Sequence, residues 1–270
     1  MSNTPVSDIS RLIRRGEPIK KHGLTWYPVK MDRFEEYIIA KPVLLLRQST
    51  LPAKYAMMDF LQALYAMYFD SITNNGKPIG FLYKLILLMA LALRLPMSEI
   101  EDNIKIETDG KRTLNSIIFR QEDVMARITP SKFRDIRSLI AEQNGEKLPD
   151  ESDNPELIRA EQELADIKGE PLEYDLEALI DSVAYNSRVS FNEIMSWTVR
   201  QFEIRRKTIR RDKMFSLYTQ AELGGMVKFQ KGNPYPSYEF DRQKGDPEVL
   251  IPEHEIRAKY GKVADIRTQE

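Results

Sequence analysis

Residues Phe81 to Leu95 read FLYKLILLMALALRL, apolar everywhere but Lys84 and Arg94. A helix apolar on nearly every side has no face to give to water, so it belongs at the centre of a domain with other elements around it. The run is too short for a bilayer, which takes ~20 apolar residues. The rest of the chain has to supply a shell for this one segment.

Helical signals dominate that shell. Asp32, with Glu35 three positions on, has capping-box spacing and predicts a helix start. Between Pro52 and Phe69, the residues Met57, Phe60, Leu61, Leu64, Tyr65 and Tyr68 recur at i, i+3, i+4 spacing, one broad apolar stripe that Asn74-Asn75-Gly76 ends. Ser98 and Glu101, just after Pro96, give another capping box. Thr129-Pro130 starts a helix with Phe133, Ile136, Leu139 and Ile140 inward and Asn144-Gly145 as its stop. Asn154-Pro155 begins a short helix to about Ile167. Ser190 and Glu193, with Val189 able to staple onto Ile194, open the best-signposted helix. It is expected to run unbroken over residues 191 to about 223 and to stop at Gly224-Gly225.

Strand signals are few. Residues 24–29 form an extended piece, and Asp109-Gly110 between Ile104–Thr108 and residues 112–119 predicts a hairpin with a two-residue turn. The expected class is therefore mainly α: an N-terminal helical domain over residues 1–145 with one small β-hairpin near 104–119, and a C-terminal helical unit over 176–240 with a long helix.

Charge supports this division. The net charge of −1 hides a strong asymmetry along the chain. Residues 1–54 carry ten Lys or Arg against five Asp or Glu, and residues 146–175 carry three basic against eleven acidic. The acidic segment also holds Pro149, Pro155, Gly169 and Pro171, so residues 146–175 read as a linker. Residues 241–270 read as an irregular tail. The composition, 42% hydrophobic and 30% charged, is too apolar for wholesale disorder. With no cysteine there is no disulfide framework, thiolate metal site or thiol nucleophile. The first residues, MSNTPVSDISRLIRRG, contain no apolar stretch of the kind a secretory signal needs.

Chemistry-bearing patterns are absent from the sequence. His22 and His254 stand apart, neither at ligand spacing from a second histidine or carboxylate on one helix face. Gly224-Gly225 lacks the Lys-Ser/Thr of a phosphate loop, and no G-x-S-x-G elbow is present. The chain is expected to be no enzyme and to need no cofactor or metal. The basic run Arg205, Arg206, Lys207, Arg210, Arg211 admits three readings: a solvated face, a docking face for protein, or phosphate contact with nucleic acid. Nucleic acid is the least favoured, since a helix of about thirty residues after Asn186-Ser187-Arg188 is unlike a recognition helix. Trp197, Phe215 and Tyr218 flank this run and complete the candidate partner-binding set, with docking on the chain's own core or on a second copy both open.

Several stretches resemble a known group. Leu12 to Pro18 (LIRRGEP), Gly23 to Val29 (GLTWYPV), Leu45 to Pro52 (LLRQSTLP), Ile117 to Gln121 (IIFRQ) and Gly224 to Phe229 (GGMVKF) are similar to proteins of the tail gene modules of phages and prophages of Gram-positive bacteria. The likeness covers about residues 10–240 and rests on structural punctuation without catalytic content. It implies a non-catalytic morphogenesis factor, a tail-assembly chaperone first and a virion baseplate or tail component second. The implied partners are other tail proteins (tape measure, tail tube or baseplate), in the host bacterial cytoplasm or the virion, with no membrane.

Overall fold

The computed structural model describes residues 6–77, 79–150, 175–229 and 233–235. It is mainly α with two small antiparallel sheets. The chain forms two compact units, Met1–Lys207 and Thr208–Glu270. Residues 176–207 thus belong to the same unit as the described residues before them. The short helix expected after Asn154, most of the acidic linker and the tail at 241–270 lie outside the described residues.

The first unit begins with α1 (Val6–Arg15) and a small hairpin, β1 (Ile19–Lys21) on β2 (Leu24–Trp26), in the register Ile19↔Trp26. Its two turn residues, His22 and Gly23, both have positive φ (52° and 84°), as a tight hairpin turn requires. Trp26 is fully buried and its indole N–H donates to the Lys21 carbonyl at 2.9 Å. A short 3-10 turn (Met31–Arg33) leads into α2 (Phe34–Leu44). The capping box expected at Asp32 does not form: Asp32 lies inside the 3-10 turn, Arg33 takes the N-cap position of α2, and neither element has a side-chain cap.

The stripe between Pro52 and Phe69 is two helices, α3 (Ala53–Ala56) and α4 (Phe60–Asn75). The Gln48 side chain takes the Ala56 and Met58 carbonyls and so ends the first. Met57 falls at the break and stands 94% exposed, whereas Phe60, Leu61, Leu64 and Tyr65 are buried. Next comes α5 (Phe81–Leu93), buried along most of its length and packed against α2 and α4. Beyond Pro96, the chain forms a 3-10 turn and the four-residue α6 (Ile100–Asn103), neither with a side-chain cap, so Ser98 does not act as one.

Three strands follow, β3 (Ile104–Thr108), β4 (Leu114–Gln121) and β5 (Val124–Ile128), in the order β3-β4-β5. The β3–β4 connection runs Asp109 to Thr113, longer than a two-residue turn, and Asp109 Oδ1 accepts from the Lys111 and Thr113 amides. Gln121 secures the sheet to the first hairpin: its amide bonds both the N–H and the C=O of Thr25, each at 2.8 Å. In α7 (Pro130–Gln143), Phe133, Ile136, Leu139 and Ile140 all face the core.

After the undescribed segment come α8 (Leu176–Ser187), capped by Asp175, and α9 (Phe191–Ser196), capped by Ser190. The helix expected to run unbroken over 191–223 stops at Ser196 and restarts as α10 (Val199–Leu223). Trp197 and Thr198 are pulled out of the helix by a β-bridge, Lys30 to Thr198, flanked by bonds from Met31 N to Trp197 O and from Val199 N to Val29 O, both 2.9 Å. Thr198 and Gln201 then cap α10 reciprocally: the Thr198 hydroxyl accepts from the Gln201 amide and the Gln201 side chain accepts from the Thr198 amide. The division between the compact units falls within this helix.

Candidate interaction groove

Helix α2 carries apolar side chains on two opposite sides. Tyr37, Ala40, Val43 and Leu44 are buried on one side, and the helix packs on α5. On the other side Glu35, Ile38, Ile39 and Pro42, spaced i, i+3, i+4, i+7, all face outward. Ile38 is 46% exposed and Ile39 52%, a pair of large β-branched side chains left half in water.

These isoleucines line a groove of about 550 Å³. Phe34 and the isoleucines form the α2 wall, Leu176 and Leu179 come from α8, and Glu203 and Arg206 come from the first unit's part of α10. Phe34 lies 6.4 Å from the fully buried Phe202 ring, which anchors that end of the wall to the core. A trough with helical walls and an apolar lining suits another amphipathic helix.

The polar groups at its edge are largely neutralised in pairs. Lys41 Nζ meets Glu146 at 2.7 Å, and Arg206 meets Glu203 at 2.8 Å, three residues apart on one helix. Tyr37, buried beneath, donates its hydroxyl to Glu146 at 3.4 Å. Burial first, and the nearby Glu146 and Glu203 carboxylates second, push its phenol far above the ordinary range, so it remains a neutral donor. Glu35 lines the groove and forms no ion pair among the described residues.

The eight residues nominated from sequence do not make one surface. Arg206 lines the groove, while Arg205 and Lys207 point to solvent. Trp197 is half-buried at the helix break, and its carbonyl serves the Met31 amide. Arg210, Arg211, Phe215 and Tyr218 belong to the second compact unit. There Tyr218 packs 5.4 Å from Phe229 and 5.1 Å from Tyr235, and Asn233 donates to the Phe215 carbonyl and the Thr219 hydroxyl. These contacts fold the chain after Gly225 back onto the end of α10, so Tyr218 works inside its own unit.

The isoleucines were missed in the sequence because α2 reads FEEYIIAKPVL, with buried and exposed apolar residues interleaved and no single stripe. The available signal was the surplus itself, since a helix that packs one face on a core needs no second apolar face. No protein-family model matches this chain, and no curated protein or solved structure matches it either.

Proposed function

We infer that this protein works by binding other protein chains during phage tail assembly, as a non-catalytic tail-assembly chaperone in the host cytoplasm. The observation that carries the reading is the groove of α2, α8 and α10, where Ile38 and Ile39 are left half-exposed beside an apolar lining. The resemblance of residues 10–240 to phage tail-module proteins supplies the context. A tape-measure protein is long, helical and prone to aggregate before the tail tube encloses it. A helical trough with two half-exposed isoleucines offers such a chain a place for the apolar stripe of one helical segment, with anchors at i, i+3 or i+4, and i+7.

The test is co-expression with the tape-measure protein of the same phage, followed by affinity purification and mass spectrometry of finished virions. A chaperone is expected to co-purify with the tape measure and to be missing from the particle. Presence in the virion at stoichiometric amount makes it a tail component instead. Failure to co-purify with any tail protein overturns the reading.

A further inference from the structure

The outward face of α2 is self-complementary. Glu35 stands three residues before Ile38 on that face, and Lys41, at the groove's edge, three residues after it, so an acid marks the N-terminal end of the groove's α2 wall and a base the C-terminal end. The second wall repeats the order, with Glu203 before Arg206 on α10. A two-fold axis through the isoleucine pair turns this face onto itself. It sets Ile38 and Ile39 against their counterparts and brings the Glu35 end of one helix to the Lys41 end of the other. The two helices then run antiparallel, with opposite dipole ends adjacent. A parallel pairing sets Glu35 against Glu35, like charges that repel.

The geometry points to a second copy of this chain as the occupant of the groove in the free protein, through an isologous antiparallel contact of α2 with α2. An isologous interface needs one patch that complements itself, with residue i meeting j and j meeting i. Glu35, without an ion-pair partner among the described residues, gains the lysine end of the other copy. Lys41, with about a third of its side chain exposed, reaches it while holding Glu146. This inference rests on the groove being the protein-binding surface and adds a regulation to it. The paired copies cover their own isoleucines and must separate before a tail-protein helix can enter. The free chain is thereby protected from indiscriminate capture.

The chain has no cysteine, so each introduced cysteine reports one contact. Ile38→Cys and Ile39→Cys lie next to the proposed axis, and each is expected to give disulfide-linked dimers under mild oxidation. Glu35→Cys lies away from it and is expected to link poorly to itself but well to Pro42→Cys when the two proteins are mixed. Glu101→Cys, on an exposed position of α6, sets the background rate. In sedimentation the unmodified chain is expected to be a dimer that dissociates on dilution. The Ile38→Lys, Ile39→Lys variant is expected to be a folded monomer with the circular dichroism spectrum of the unmodified chain, since both side chains already stand half in water, and to lose the concentration dependence of the melt that dimerisation gives. A monomeric unmodified chain at every concentration overturns the proposal. So does crosslinking at residues 38 and 39 no faster than at 101, or a dimer that survives the double lysine substitution. The two readings fail separately. A monomer that still captures the tape measure leaves the functional reading standing, and a dimer that captures no tail protein leaves the self-association.

Discussion

Arg137 is 8% exposed, an arginine inside the core of a helical unit. Its Nε donates to the Leu44 carbonyl at 3.0 Å and one Nη to the Leu46 carbonyl at 2.6 Å, so it closes the C-terminal end of α2. Its guanidinium also lies 3.8 Å from the centre of the Phe60 ring. Arg137→Met keeps the apolar stem and the volume and removes the donors. Hydrogen bonds from a charged group contribute about 1.5–3 kcal/mol each, and partial rehydration at the helix end returns some of that. A desolvated cation over an aromatic ring adds about 2 kcal/mol, part of which the Met sulfur recovers against the same ring. The terms share one side chain and do not add. The expected loss is about 3 kcal/mol, a fall in melting temperature on the order of 10 °C. Arg137→Lys keeps the charge but cannot fork to two carbonyls, and is expected to fall between the two. Urea titration followed by circular dichroism reads all three proteins. A Met variant within about 0.5 kcal/mol of the unmodified chain, the ordinary range for a surface change, would refute the claim that Arg137 sets the end of α2.

Four further outcomes follow from the same structure. Thr198→Ala removes one half of the reciprocal cap on α10 and is expected to cost about 1 kcal/mol in a thermal melt. Gly16→Ala adds a Cβ 3.0 Å from Thr198 Cγ2 at a φ of +72°, so expression and melting temperature are both expected to drop. Arg210→Glu, on an exposed position, is expected to leave stability within about 0.5 kcal/mol, whereas Arg206→Glu places a carboxylate beside Glu203 and lowers the melt measurably more. Asp70 is pushed up by burial, but hydrogen bonds from Tyr55 and Lys54, with Arg112 at 2.9 Å, more than offset that and hold its carboxyl below the ordinary range. A depressed carboxyl contributes stability that is present above the unfolded-state value and lost as pH falls through the folded one. Melting temperature should therefore decline on acidification below about pH 4, and Asp70→Asn should flatten that part of the curve.

The central helix was legible because its composition admits one location, and Phe133, Ile136, Leu139 and Ile140 were legible because α7 has one apolar stripe. Ser190 was legible as a cap because capping is local. What escaped was set by partners far away in the chain. Nothing near Trp197 breaks a helix; the bridge from Lys30 does, across more than half the sequence. The spacing of Thr198 and Gln201 was a usable start signal, hidden within an apparent continuation. Strand β5 was missed because Glu122-Asp123 lacks the glycine that a two-residue hairpin turn usually carries, although Glu122 adopts a φ of 54° there. Of the nominated site residues Arg206 alone lines the groove, since a count of basic residues does not say which of them face a neighbour. The two isoleucines that define the groove carry no charge pattern at all.

In the proposed function α2 meets another protein through its outward face. The most direct measurement is photo-crosslinking from a benzophenone amino acid placed at Ile39, in cells co-expressing the tape-measure protein, with the same probe at Glu101 as the control. The expected result is a crosslink from position 39 to a helical segment of the tape measure, mapped by mass spectrometry, together with a homodimer crosslink when the tape measure is left out. Position 101 should give neither. Equal labelling from both positions, or no protein crosslink from position 39 under either condition, would contradict the account.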